Sequence, residues 1–404
     1  MHAELADFIR HSREGAEAEA ILRKCVHCGF CTATCPSYQV LGDDLDSPRG
    51  RIYLMKRMLE GAPVSARTRL HLDRCLTCRA CETTCPSGVR YGRLVDIGRA
   101  VVEAKTRRSA LDRLRRTLLA WVLPHSARFG VLLALGRALR PLLPRALREK
   151  IVAAGKPGPW PAPRHARRML VLRGCVQPAL APSINAAAAR VLDRAGISLV
   201  ETPPGCCGAL RFHLNDQEGG RDDMRARIDD WWPMIERGEV EAIVMTASGC
   251  GVTVKEYGEH LAGDARYAEK AARVAALTRD LSEVLAPGAA TAGRVRAGKV
   301  AFQSPCTLQH GQRLRGRVEE ILRGAGYELT PVDEAHLCCG SAGTYSLLQP
   351  AIAQALRRRK LAALEAGAPE VIATANIGCL AHLQGATARP VRHWIELLDV
   401  ESPA

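Results

Sequence analysis

The chain has 404 residues, 47% apolar and 25% charged, with a mean hydropathy of −0.08. That balance excludes a disordered chain and a multi-span membrane protein, and the length predicts two or three domains. The net charge is +15, aromatics are only 4%, and there are 16 cysteines; because Met1 to Gly15 lacks the apolar stretch of an export signal, metal ligation explains so many thiols better than disulfides do.

Two copies of one cysteine pattern open the chain. Cys25, Cys28, Cys31 and Cys35 precede Pro36, and Cys75, Cys78, Cys81 and Cys85 precede Pro86. Both read C-x2-C-x2-C-x3-C-P, the spacing of bacterial two-cluster ferredoxins. Three close thiolates grip three irons of a cube, and the fourth thiol reaches across to the other cube. The expected [4Fe-4S] ligand sets are therefore Cys25, Cys28, Cys31 and Cys85 for one cluster, and Cys75, Cys78, Cys81 and Cys35 for the other. Zinc sites rarely space three thiolates this way before a fourth and a proline. Between the runs, Pro48 to Leu59 is apolar at i, i+3 and i+4 and is closed by Gly61, so it reads as a helix with Arg49 and Arg51 as solvated charge at its start. A helix inserted here resembles the α-helical ferredoxin module in the iron–sulfur subunits of succinate dehydrogenase-like complexes.

Residues 105–150 hold twelve Lys or Arg against Asp112 and Glu149. Leucines interleave with the charges, and the pattern predicts two or three short amphipathic helices broken at Pro124 and at Pro141 to Pro144. Such helices, led by Arg113, Arg115 and Arg116, suit an anionic membrane surface, an acidic partner subunit, or packing of the leucine face on the chain itself. No run is long and apolar enough to span a bilayer. The charge lies in leucine-rich helices without a reading element and aromatics are scarce, which argues against nucleic acid as a partner. Lys156 to Pro163, with four prolines, reads as a stiff linker.

After the linker the sequence repeats. Cys175 pairs with Cys306, Cys206-Cys207-Gly208 with Cys338-Cys339-Gly340, and Cys250 with Cys379, at offsets of 131, 132 and 129. Each copy opens with an apolar β-rich run (Met169 to Leu172; Val300 to Phe302), continues through a helix stopped by glycine, a short strand, the Cys-Cys-Gly turn and a second helix, and runs a further strand (Ala242 to Thr246; Val371 to Ala375) into its last cysteine. Strand–helix alternation predicts two α/β units with mostly parallel sheets and cysteines converging at the strand ends. His310, His336, His382 and His393 lie near these motifs and are expected to support a site or face solvent rather than ligate.

The paired Cys-Cys-Gly motifs resemble the cysteine-rich domains of the heterodisulfide reductase and respiratory iron–sulfur proteins. The strings Pro305 to Gly311, Leu337 to Tyr345 and Asn376-Ile377-Gly378-Cys379, with Gly205 to Leu210 and Ala247 to Gly251 in the first copy, resemble those of the glycolate oxidase iron–sulfur subunits. The resemblance implies an α + α/β chain: an α-helical ferredoxin over 1–104, a basic helical linker over 105–166, and cysteine-rich domains over 167–290 and 291–404. It implies an electron-transfer subunit of an oxidoreductase, served by FAD-binding partner subunits that oxidise glycolate, passing electrons to quinone and lying peripherally on the cytoplasmic face of the membrane. Lactate, anaerobic glycerol-3-phosphate or heterodisulfide reductase-like complexes use equivalent subunits. The family's Cys-x-x-Cys at the third position of each repeat is incomplete, with Ala247 and Asn376 replacing its first cysteine. Four thiols remain per repeat: Cys175, Cys206, Cys207 and Cys250, then Cys306, Cys338, Cys339 and Cys379. Four suffice for an iron–sulfur cluster, zinc or redox-active thiols, or they form an inert buried set. The chain contains no G-x-G-x-x-G after a strand, no P-loop and no flavin-attachment signature, so substrate oxidation and catalytic residues are expected on a partner.

Overall fold

The computed structural model describes residues 1–142, 156–286 and 298–399. The N-terminal module is helical. Ser12, Ser47 and Ser65 cap the helices Arg13–Lys24, Pro48–Leu59 and Ala66–Asp73, each accepting from a backbone N–H three residues on. With Tyr91–Lys105 they pack Leu22, Met55, Leu59, Leu72 and Leu94 into a fully buried core. The helix expected between the cysteine runs is present, but Arg51 departs from expectation. Arg49 is partly exposed beside Asp44, whereas Arg51 is 1% exposed. It donates to the Asp46 carboxylate (3.2 Å), the Ser37 hydroxyl (3.0 Å) and the His71 carbonyl (2.6 Å). A guanidinium is tolerated in the interior here because each of its three nitrogens finds an acceptor, one of them a buried carboxylate, on the segments flanking the cysteine runs.

Each repeat folds into a four-stranded parallel sheet. The first comprises β1 (Arg167–Val171), β2 (Ile197–Glu201), β3 (Ala242–Met245) and β4 (Thr278–Asp280), in the order β2-β1-β3-β4. The second comprises β5 (Lys299–Gln303), β6 (Glu328–Leu329), β7 (Val371–Thr374) and β8 (Val391–His393), in the order β6-β5-β7-β8. β4 and β8 lie beyond the last cysteine of each copy and escape the sequence pattern, being only three residues long. Each leads straight into a short helix closed by a capping box, Asp280 with Glu283 and His393 with Glu396. Gly196 and Gly326, both at positive φ, stop the helices before β2 and β6 as their sequence context predicts.

The two sheets share one continuous apolar core. A buried Arg190–Asp399 ion pair (2.6 Å) and a His393 Nε2–H donated to the Thr246 carbonyl (2.8 Å) fasten the copies together. The segment after Lys156 is not a free spacer. Trp160 donates to the Leu199 carbonyl and Arg190 to the carbonyls of Pro157 and Pro159, which clamps it to the first repeat. The boundary expected at 290/291, and Leu143 to Lys150 of the basic stretch, lie outside the described residues.

The helices Ala110–Val122 and Ser126–Ala138 meet at a bend of 105°, around the predicted break at Pro124. Among the described residues no single helix is long and apolar enough to cross a membrane. The pair is bedded at its inner side: Arg108 and Arg116 both bond Asp73 and Asp112, and Arg137 donates to the Ala179 carbonyl. Arg116 is thereby withdrawn from the free basic face, which Arg113, Arg115 and Arg128 form. Leu111, Leu114, Leu118 and Trp121 stand more than half exposed along one face.

Candidate metal centres

The two N-terminal runs adopt the same tight winding. His27 and Gly29 in the first, Thr77 and Arg79 at the matching places in the second, all have φ between 55° and 85°. Three of these four are not glycine, a cost of about 1 kcal/mol or more each, and the alternation curls each loop so that its thiols face inward. Pro36 opens the helix Pro36–Leu41 directly after Cys35. Cys25, Cys28, Cys31 and Cys85 line one small cavity, so the structure brings the last cysteine of the second run to the first. Cys35 in turn lies within electrostatic reach of Cys78 and Cys81, beside Arg51. Cys28 is exposed while Cys75, Cys78 and Cys81 are buried. Arg99, itself buried, holds the second loop by donating to the carbonyls of Leu72 and Cys75 and to the Thr77 hydroxyl.

In each repeat the four thiols meet at the ends of the strands. Cys175, Cys206, Cys207 and Cys250 form one chain of sulfur contacts, and Cys306, Cys338, Cys339 and Cys379 another. The Cys306 and Cys338 sulfurs are 3.7 Å apart, too far for a bond, and all sixteen cysteines are free of disulfides. The glycine of the motif has a steric reason. Gly208 (φ 93°) and Gly340 (φ 90°) sit where a Cβ would approach the carbonyl oxygens of Gly220 and Ala353 to 2.6 and 2.5 Å. Their N–H groups donate to the sulfurs of Cys206 (3.3 Å) and Cys338 (3.4 Å). Asn376, in the place of the missing cysteine, directs its amide at Cys379 (3.6 Å) and accepts from the Gly249 N–H (3.3 Å).

Seven of the eight cysteines of the repeats, all but Cys339, line one cavity of about 350 Å³ between the repeats and the helical module. Cys78 reaches its wall, in electrostatic contact with Cys306 and Cys338 of the second repeat. Two further bonds tie these parts together. The Tyr345 hydroxyl donates to the Arg74 carbonyl beside Cys75 (2.9 Å), and His310 bridges Thr83 and His336. Because His310 Nε2 faces a carbonyl at 2.9 Å it carries the proton, so Nδ1 accepts from the Thr83 hydroxyl at 2.8 Å. His310 is thus a strut between the module and the second repeat, His336 offers it a backbone oxygen, His382 lines the cavity, and His393 caps a helix. No sequence signal marks Arg99, Tyr345 or Thr83, whose partners are remote in the chain.

Burial pushes the thiols of Cys78 and Cys81 well above the ordinary range. Contact with Cys206 and burial do the same to Cys175, and contact with Cys338 and burial to Cys306. Sulfurs so placed become thiolates when a cation shares the site, which is the condition iron or zinc supplies. The donor sets therefore fit thiolate-bound metal.

Comparison with known proteins agrees with this geometry. Residues 21–89 match the model of a 4Fe-4S dicluster domain, and residues 169–255 and 300–384 each match that of a cysteine-rich domain. The glycolate oxidase iron–sulfur subunit of Escherichia coli K12 is 54% identical over 402 residues, covering 99% of this chain and 98% of that one. A probable glycolate oxidase iron–sulfur subunit of Bacillus subtilis 168 is 29% identical over 91% of this chain and 89% of its own. The lactate utilization protein A of Bacillus licheniformis is 28% identical over 56% of this chain and 96% of its own length.

Proposed function

Because the chain belongs to the family of glycolate oxidase iron–sulfur subunits, we propose that it draws electrons from FAD-bearing partner subunits, in which glycolate becomes glyoxylate, and hands them to a membrane quinone. The observation that carries this reading is that exposed Cys28 shares one cavity with Cys25, Cys31, Cys81 and Cys85, while buried Cys78 shares another with cysteines of both quartets. In this reading Cys25, Cys28, Cys31 and Cys85 hold one [4Fe-4S] cluster, and Cys75, Cys78, Cys81 and Cys35 the other. Such clusters, when bound, relay electrons singly at potentials set by hydrogen bonds and exposure. The quartets Cys175, Cys206, Cys207, Cys250 and Cys306, Cys338, Cys339, Cys379 hold a further iron–sulfur or zinc site in one or both repeats. Electrons enter at Cys28, flanked by exposed Val26 and Phe30, where a partner subunit finds apolar surface over the first cluster. Buried Arg99 and Arg51 keep the loops in register. The lactate-utilization relatives match little more than half of this chain, which favours glycolate as the donor.

The helices Ala110–Val122 and Ser126–Ala138 rest on the cytoplasmic face of the membrane in this reading, with Leu111, Leu114, Leu118 and Trp121 in the lipid boundary and Arg113, Arg115 and Arg128 on anionic headgroups, each contributing about 1 kcal/mol before salt screening. Changing those three arginines to Glu should release the protein from anionic vesicles; unaltered binding would move the attachment elsewhere.

The deciding experiment is glycolate-dependent dye reduction by the purified complex, by the complex lacking this chain, and by the chain alone. Activity in the first only is expected. Turnover by the chain alone would overturn the assignment of glycolate and FAD to the partners. Cys28→Ser should remove one of two low-potential EPR signals and leave the other.

A further inference from the structure

The cavity between the quartets has a part that the thiols do not explain. Opposite the sulfurs, its wall is made of Leu123 and Phe129 from the bent helix pair and of Leu210, Phe212 and His213 from the short helix after Cys-Cys-Gly. Its volume of about 350 Å³ is at the lower end of the roughly 300 to 1,000 Å³ of organic-ligand pockets and includes the space beside the thiols, so a ligand that shares the cavity with metal takes only its apolar part. Apolar walls with a few convergent polar groups are the usual composition of such pockets. Here the polar groups include Arg79 paired with Glu256, Arg99, Asp96 and, beside the aromatic residues, His213 and His260. His213 is packed against Gly343, which stands at φ 60° where a Cβ would meet the ring at 2.7 Å. Neither of its ring nitrogens has a hydrogen-bond partner among the described residues. The His260 ring lies 4.6 Å from that of Phe212, and its Nδ1 is buried without a partner. A buried polar atom left open, as His260 Nδ1 is, marks the place of an absent partner, and partly buried His213 lines the same cavity. Leu123 and Phe129 of its wall come from the same helix pair and its turn, on which Leu118 and Trp121 stand exposed.

We propose that this cavity seats the quinone, its ring against Phe129 and Phe212, one carbonyl oxygen accepting from His213, and its apolar tail leaving beneath the helices toward lipid. This rests on the reading that quinone is the acceptor, and gives it a place. Cys78 and three cysteines of the second quartet, Cys306, Cys338 and Cys379, line the same cavity, so donor and acceptor share one space. The balance closes with no further reactant. Glycolate gives up two electrons and two protons; the quinone takes two electrons, one at a time, and two protons from water admitted along the histidine side, and becomes the hydroquinone. A neutral imidazole serves both ends of this, donating one N–H to the carbonyl and accepting at its other nitrogen.

The test uses the holo-complex with glycolate, comparing reduction of a short-tailed quinone with reduction of a hydrophilic dye. His213→Phe and Phe129→Trp should each raise the quinone KM or lower quinone turnover at least tenfold relative to dye, while iron content and the EPR signals stay at wild-type values. An azidoquinone should label peptides that include residues 209–213 or 123–129, and excess quinone should suppress the labelling. If the wild-type complex reduces dye but no quinone, the acceptor reading itself fails. If it reduces quinone and both variants keep the wild-type ratio, or the label falls outside these peptides, the quinone binds elsewhere and this site is overturned. Should a variant not assemble, the wild-type labelling alone decides.

Discussion

The two repeats have one topology and one set of thiols, yet they are set in different electrostatic surroundings. In the second, Lys360 is 3% exposed and its charge faces Cys338 and Cys339. Its ammonium donates to the Glu334 carbonyl (2.8 Å), and burial pulls its pKa below the ordinary value while the sulfurs oppose that pull. The residue 132 positions earlier, at the motif's own offset, is Ile228, fully buried. In the first repeat the group on the sulfur is a carboxylate already paired with a cation: Asp223 contacts Cys206 and bonds Arg211 (3.1 Å), and burial raises its carboxyl to about 6. The second repeat also touches Cys78, Thr83 and Arg74 of the helical module through Cys306, His310 and Tyr345. Duplication preserved the cage and divided the labour. An anionic thiolate-bound group is favoured where a buried cation balances it and disfavoured beside a carboxylate.

The largest expected effect breaks the joint that lets the copies be compared at all. Arg190→Ala removes the nearer of the two arginines on buried Asp399, leaving Arg194 at 3.7 Å, and should cost on the order of 3 kcal/mol, read as a lowered urea midpoint for both repeats together. Two separate transitions would show that the shared core does not couple them.

Acid should loosen the same joint. Burial holds His393 down to about 4 against an ordinary 6.5. Its Nε2–H goes to Thr246 and its Nδ1 accepts from Ile395, so a second proton has no place. The unfolded chain binds that proton first, so the stabilisation is complete above pH 6.5 and is lost as pH falls toward 4, about 3 kcal/mol in all. His393→Gln should flatten that part of the stability–pH curve.

Smaller, and matched between the copies, is the effect of Gly208→Ala and Gly340→Ala. Each puts a Cβ against a carbonyl at positive φ and should cost about 1 to 3 kcal/mol, with the two thermal shifts alike. Smallest in stability and largest in contrast is Lys360→Met. It should change the unfolding free energy by less than about 1 kcal/mol yet weaken chelator resistance of metal on Cys306, Cys338, Cys339 and Cys379 by ~10-fold, leaving the first quartet unaffected. Equal losses in both quartets would erase the contrast.

Much of this was legible in the sequence where the signal is a spacing. The cysteine runs, the offsets near 130, the inter-run helix and the break at Pro124 all follow from local pattern. What was hidden depends on partners far apart in the chain. Arg51 reads as a helix-start charge because nothing nearby shows that Ser37, Asp46 and His71 converge on it. β4 and β8 are too short to carry periodicity. That the second repeat and not the first meets Cys78 is a matter of docking, and both copies present the same residues to any pattern search. Asn376 shows the limit most plainly: as a substitution it reads as a lost ligand, and in the fold its amide still addresses Cys379.

Exposure of Cys28 also fixes where the protein ages. The Cys28 sulfur meets oxygen and peroxide first, while Cys75, Cys78 and Cys81 are sheltered. Damage therefore begins at the entrance. A sample handled in air should lose its outer iron first and keep the inner part intact, turning from a conductor into a sealed vessel that still folds and still binds its partners.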